Sequence, residues 1–353
     1  MLSKNIKREK KIRMNDKNSN KVLCIGFATV DQVISGINAD QLAAQAVYPA
    51  EGCSFSVGGD AANEAVVLAR LGVDTALCTK LGGDFLAGIV LDYCQKAGVD
   101  MSKTIMDPAI GTTMGIALIG DNDSRRIIPV AKGRSTDCLC EEDINTEWFA
   151  DVKAISFASL FVVPQMTMPV LSRLFAAAKA AGCIVCCDVK MEGTEKIEDM
   201  KEVLPYVDYI FPNFAEARSL TDEKEPLRIA QRFLDYGTGC VVLKLGVPGC
   251  LVKTKEEEYW IPSYKVQAVD STGAGDNFAA GFIAGIVNGQ SRRESAKIAC
   301  AASSVCVQNH GATAGVYDMD TLKAIVKAGE EDWEERAAKV ADAWAKEEAD
   351  SFL

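Results

Sequence analysis

One histidine, His310, serves the whole 353-residue chain. That scarcity excludes multi-histidine metal sites and most Ser-His-Asp and Cys-His nucleophile schemes. Long apolar runs are also missing: none approaches the roughly 18 residues that a membrane span requires. Positive charge is short, with 38 Lys and Arg against 49 Asp and Glu and a net charge of −11. The first twenty residues hold seven of those cations and two acids, which leaves −16 for the remainder. So acidic a body argues against a nucleic-acid partner. Met1 to Asn20 is polar and has no apolar h-region, so it reads as a disordered basic tail rather than a secretory signal. Neither G-x-x-x-x-G-K-[ST] nor G-x-G-x-x-G occurs, which weakens P-loop and Rossmann dinucleotide readings.

Cysteine, by contrast, is plentiful. Thirteen of them without a signal segment suggest free thiols in a reducing cytoplasm. Cys183 to Cys186 has C-x-x-C spacing, but it lies in a buried-strand pattern, Gly182 to Val189, where the side chains would be core rather than metal ligands or a redox pair.

Strand and helix patterns alternate along the chain. Apolar strands are expected at Lys21 to Phe27, Thr75 to Lys80, Ala154 to Ala158, Cys183 to Asp188, Tyr209 to Phe211 and Cys240 to Leu245. Helices are expected at Ala61 to Leu71, Phe85 to Ala97, Met166 to Ala181, near Glu195 to Leu204, at Phe214 to Leu220 and at Pro226 to Tyr236. Such alternation indicates an α/β fold, a mostly parallel sheet covered by helices. Residues 33–57 are less regular, and 112–130 reads as a β-hairpin; together they suggest a small β excursion. There is no internal repeat or long linker. Polar residues recur where strands end: Asp31, Asp188 with Lys190, Asn213 with Glu216, and Lys244 with Gly246. Ligands bind at that edge of open parallel sheets, although loops are polar in any case. Past Arg292 to Gln308 and the turn Asn309 to Ala312, two more helical runs follow Met319. The last one aligns Trp333, Ala337, Val340, Ala341 and Trp344 on one face, suited to packing on the body of the protein.

Two stretches carry the chemistry. In Gly58-Gly59-Asp60-Ala61-Ala62-Asn63-Glu64-Ala65, two glycines lead into a helix that stops at Gly72. Asp60 and Asn63 fall in its first turn, where Asp60 either faces a ligand or caps the helix. In Asp270 to Phe282, a strand-like run at Tyr264 to Val269 meets a helical run at Asn277 to Val287. Small residues at Gly273, Ala274 and Gly275 let backbone approach a ligand, and a helix start there makes an anion site. Asp276 on its rim would repel phosphate unless it serves as a base for an attacking hydroxyl. A helix cap is the alternative.

These two signatures, in this order, resemble the ribokinase-like (PfkB) carbohydrate kinases from about Lys21 to Asp318. The resemblance implies a doubly wound α/β body with a small β-sheet lid. Residues 1–20 would be the tail, 21–327 the kinase domain with a discontinuous lid (33–57 and 112–130), and 328–353 a helical extension outside the usual pattern. It implies transfer of the γ-phosphoryl group of ATP to a hydroxymethyl group of a small ketose or pentose. A 2-keto-3-deoxy sugar acid, a nucleoside, or a catalytically silent sugar- or nucleotide-binding sensor are the alternatives. By the same resemblance Asp276 is the base, and Gly273, Ala274 and Gly275 form the anion hole. Asn213 and Glu216 order Mg²⁺ and the phosphates. Lys244, where threonine is common, and Gly246 adjoin the nucleotide. Asp31, Gly59, Asp60 and Asn63 hold substrate hydroxyls. Asp270, Thr272, Asn309 and Gly311 match a K⁺ site, although Asp270 could equally hydrogen-bond its own loop. A homodimer through the lid is implied, with no membrane or nucleic-acid partner. Lysine is usual in ribokinase where Asp60 stands, and Asp188-Val189-Lys190 replaces a commoner D-x-N.

Overall fold

A computed structural model of the chain describes residues 20–37, 49–120, 125–129, 134–191, 193–316 and 318–345. The expected disordered tail lies outside the described residues except for Asn20, as do residues 38–48 of the β excursion and the last eight of the C-terminal extension. The described chain opens with strand β1 (Val22–Ile25), β2 (Thr29–Ile37) and β3 (Gly52–Gly58), then helix α1 (Asp60–Arg70). It continues with β4 (Thr75–Cys78), β5 (Lys80–Gly82), α2 (Phe85–Lys96), β6 (Ile105–Asp107), β7 (Met114–Gly120) and β8 (Arg125–Pro129). Next come β9 (Ala154–Leu160), α3 (Met168–Ala180), β10 (Ile184–Val189), β11 (Tyr209–Ile210), α4 (Phe214–Thr221), α5 (Pro226–Asp235) and β12 (Cys240–Lys244). The chain closes with β13 (Gly249–Lys253), β14 (Glu258–Pro262), α6 (Ala274–Val287), α7 (Arg292–Cys306), α8 (Met319–Ala328) and α9 (Trp333–Ala345).

The main sheet has eight strands in the order β14-β13-β12-β11-β10-β9-β1-β4. From β4 to β12 all pairs are parallel, while β12, β13 and β14 pair antiparallel. Every residue of β9 is buried, as helices on both faces require. One core, on the α1, α6 and α7 side, includes Leu68, Phe282 and Ala299; the other, on the α3, α4 and α5 side, includes Phe175, Ala217 and Phe233. All thirteen cysteines are free thiols, and Cys183, Cys186 and Cys187 are buried around β10 as the apolar pattern requires.

A separate four-stranded sheet, ordered β3-β2-β7-β8, grows from the carboxyl edge of the main one. Only Gly26, Phe27 and Ala28 separate β1 from β2, and Gly59 alone separates β3 from α1. Asp31 therefore lies within β2 of the small sheet, paired with Ser56 and Gly115, and not in the loop after β1.

Two expectations need correcting. Tyr264 to Val269 is not a strand: Pro262 ends β14, and Val266 and Val269 point outward at 39% and 52% exposure. The antiparallel hairpin β13–β14, which the alternation of strand and helix did not disclose, precedes it. The helix near Glu195 to Leu204 is two short 3₁₀ turns, Ile197–Met200 and Leu204–Tyr206, the second opened by Pro205.

The C-terminal stripe packs as its spacing demands. Trp333 and Trp344 are buried at opposite ends of α9, against Tyr264 and Phe214 respectively, with ring centroids 5.9 and 4.8 Å apart. Helix α9 thereby covers the edge strand β14 and ties the two cores together.

Candidate active site

Helix α6 starts three residues earlier than its apolar pattern shows, at Ala274. Its N-cap is Gly273, in the left-handed conformation at φ 75°. A Cβ at Gly273 would run into the Ala312 carbonyl oxygen. Asn277 fastens this approach by donating 2.7 Å hydrogen bonds to both Gly273 O and Ala312 O. Ala274 N–H donates to Ser271 O at 3.2 Å, and the N–H groups that follow it stand at the start of the helix, where an anion is favoured.

Asp276 occupies the first turn of α6 and does not cap it. Its Oδ2 accepts a 2.6 Å hydrogen bond from Asn63 Nδ2 of α1, which brings the two signatures together. Its carboxyl is pushed up to about 8, first by burial and then by the charge of Asp60, while the Asn63 bond pulls the other way. Asp60 is likewise not a cap: Gly59, at φ 96°, takes that place, because a Cβ there would lie 2.6 Å from Phe27 O. Asp60 instead accepts from Lys190 Nζ at 3.0 Å.

Lys244, at the end of β12, reaches under the same turn. A Cβ on Gly275 would stand 3.2 Å from its Nζ, which donates to both Asp188 oxygens at 3.0 and 2.8 Å. Burial opposes the charge on Lys244, but Asp188, Glu216 and Asp276 outweigh it and hold the ammonium protonated. Asp188 is 4% exposed and shifted upward by burial despite Lys244. Asn213 and Glu216 close a reciprocal cap at the start of α4, and burial lifts Glu216 to about 7. Asn213 bridges to Lys244 in the parallel sense, so this cap adjoins the end of β12. Gly246, at φ 72°, leaves open space beside it.

Asp270 ties its own loop to the turn after α7: Oδ1 accepts from Thr272 N at 2.9 Å and Oδ2 from Gly311 N at 3.0 Å. The Asn309 amide is directed at the Val305 carbonyl, 2.9 Å away, within the end of α7. Among the described residues no cluster of three or more His, Cys, Asp or Glu could hold a metal ion. Mg²⁺ therefore fits this cleft only in the way it usually binds beside nucleotides, through phosphate oxygens and one or two carboxylates. Phosphate fits directly, since the α6 N–H groups and the Lys244 ammonium converge on Gly275.

Several participants carried no assigned role on sequence grounds. Asn277 follows Asp276 directly, and the Gly-Asp-Asn succession was its signal. Asp188 and Lys190 stood out as strand-end polar residues and as a departure from D-x-N, without a role. Glu64 was read as part of a motif; it is fully buried on α1, accepts from Ser156 Oγ at 2.5 Å, and is shifted well upward by burial and then by Asp188. An acid amid Ala61, Ala62, Ala65 and Val66 was the available sign. Phe161, beyond β9, has φ 76°, a left-handed backbone rare for a bulky side chain.

The pattern of the pfkB family carbohydrate kinases matches residues 19–319. A ribokinase of Staphylococcus aureus (strain COL) is 31% identical over 316 residues, covering 87% of this chain and 100% of that protein. A 2-dehydro-3-deoxygluconokinase of Bacillus subtilis (strain 168) is 28% identical over 292 residues, 78% of this chain and 88% of the relative. In three dimensions, the ribokinase of Arabidopsis thaliana complexed with ribose and ATP superimposes with a TM-score of 0.75, at 24% identity, over 87% of this chain and 98% of that one. The matched span contains both signatures, and with a relative above 30% identity along nearly its whole length it makes this chain a member of the pfkB family of carbohydrate kinases, phosphotransferases that act on a sugar hydroxyl.

Proposed function

We propose that the chain transfers the γ-phosphoryl group of ATP to a hydroxymethyl group of a small ketose or pentose, with Asp276 as the base. The observation that carries this is the half-buried Asp276, whose carboxyl is raised to about 8 and fixed by Asn63 at the start of α6. Asp276 takes the hydroxyl proton as the sugar oxygen bonds to the γ-phosphorus and ADP leaves. The N–H groups of the turn at Gly273, Ala274 and Gly275, with the Lys244 ammonium, hold the charge on the transferring group. Asn213 and Glu216 face the nucleotide phosphates and would hold a Mg²⁺ there, which would supply neutralisation of the phosphate charge. Asp31, Gly59, Asp60 and Asn63 bound the sugar, and the small sheet serves as the lid, through which two copies pair. Support for a K⁺ site at Asp270, Thr272, Asn309 and Gly311 comes from the resemblance. Equal rates in K⁺, Na⁺ and tetramethylammonium salts would remove it.

A sugar acid is the second reading, favoured by the similarity to the Bacillus subtilis 2-dehydro-3-deoxygluconokinase. An ADP-release assay coupled to NADH oxidation, run across sugars, sugar acids and nucleosides, tests both. Release above background with a neutral ketose or pentose is expected. No release with any of them would leave a binding sensor as the better account.

A further inference from the structure

We infer that Lys190, seated on Asp60, is a specificity-determining residue that restricts the site to uncharged polyols and turns away anionic sugars. The inference rests on the kinase reading above and specifies which substrates it applies to.

Lys190 is held at both ends. Its backbone N–H donates to Leu160 O at 3.3 Å, which fixes it at the carboxyl edge where β9 and β10 run side by side. Its half-exposed side chain crosses to the start of α1, where Nζ donates to Asp60 Oδ1 at 3.0 Å. On the way the ammonium stands 5.4 Å from the centre of the Phe27 ring, a cation–π contact that directs it further. Phe27 adjoins Gly59 through the close backbone approach at Phe27 O. The pair therefore stands beside Asn63 and Asp276, where a substrate hydroxyl must sit to be deprotonated.

The charges explain the selectivity. Three carboxylates, Asp60, Asp188 and Asp276, surround two ammonium groups, and each ammonium is already committed: Lys244 to Asp188 and Lys190 to Asp60. A hydroxyl both donates and accepts. A vicinal diol can thus donate to Asp60 and accept from Lys190 while the ion pair stays intact. A ligand carboxylate only accepts: it can take a bond from Lys190 but has no proton to give Asp60, so two negative groups stand side by side. The sequence signal is a double replacement: lysine is absent from position 60 and present at position 190, so the cation has changed elements and gained a partner.

The test measures kcat/KM for D-ribose and D-fructose against 2-keto-3-deoxy-D-gluconate, in the wild type, Asp60→Asn, Lys190→Met and Lys190→Arg. The wild type should favour the better neutral sugar by at least about tenfold, and Asp60→Asn, which releases Lys190, should reduce that ratio by about tenfold or more. Lys190→Met should raise KM for the neutral sugar with little change in kcat, and Lys190→Arg should restore it, which a folding defect would not do. A wild type that prefers the acid, or a neutral-to-acid ratio unmoved by Asp60→Asn, would overturn the inference. Calorimetric titration of the same sugars without ATP separates it from the kinase reading. Binding that follows charge without turnover would refute the kinase and keep the specificity pair. Turnover with a charge-blind ratio would do the reverse, and neither binding nor turnover would refute both.

Discussion

A single methyl group distinguishes the catalytic reading of the turn before α6 from a merely structural one. At Gly273 a Cβ meets the Ala312 carbonyl in a left-handed backbone, whereas at Gly72, also left-handed with φ 80°, nothing lies within 4 Å. Gly273→Ala should therefore displace the anion turn and lower kcat by about 10², the worth of one oxyanion-type donor. Gly72→Ala should cost about 1 kcal/mol of stability and leave kcat alone. Equal kcat in both variants, read by steady-state kinetics beside urea unfolding, would remove the anion turn from the mechanism. Residues of this kind were legible in the sequence because a tight approach admits only glycine, and because Asp276 follows that approach directly. Lys190 and Asp60 were not legible as a pair, since 130 residues separate them and no local spacing links their elements.

Among the elements, those that form the large sheet were readable because each parallel strand is apolar throughout and each helix has one apolar face. The hairpin β13–β14 escaped because its second strand is an edge, half-polar and short, while Tyr264 to Val269 imitates a strand without a partner to pair with. Helix α9 takes that partner's place. Trp344 is 8% exposed and lies on Phe214, the residue after Asn213, so the C-terminal helix braces the start of α4. Trp344→Ala should lower the unfolding free energy by about 3 kcal/mol, as other buried aromatic truncations do. It should also raise KM for ATP several-fold while KM for the sugar stays put. A stability loss with both KM values unchanged would reduce α9 to a cover for the edge strand.

For the molecule as a whole, the two sheets meet at Gly26-Phe27-Ala28 and at Gly59, and the proposed substrate residues lie at that junction. If the small sheet closes on substrate, backbone amides of β2 and β3 should exchange more slowly with saturating sugar and nucleotide than without them. Identical hydrogen–deuterium exchange in the two states would make the small sheet a fixed wall. Asp276 joins this architecture to the chemistry, because it links α6 to α1 through Asn63 and is the only group proposed to move a proton. With its pKa near 8 in the free protein, kcat/KM should rise with pH and level off above about 8. Asp276→Asn keeps the shape and the Asn63 contact without the base. An acid whose folded pKa is raised stabilises the fold below its unfolded pKa and loses that contribution as pH climbs towards 8. Asp276→Asn should thus melt at or above the wild-type temperature, with a gap that widens between about pH 4 and 8. The most direct measurement is kcat/KM of wild type and Asp276→Asn across that range. The account predicts a fall of about 10² to 10⁴ in the variant and the loss of the limb near pH 8; near-wild-type turnover with the limb intact would contradict it.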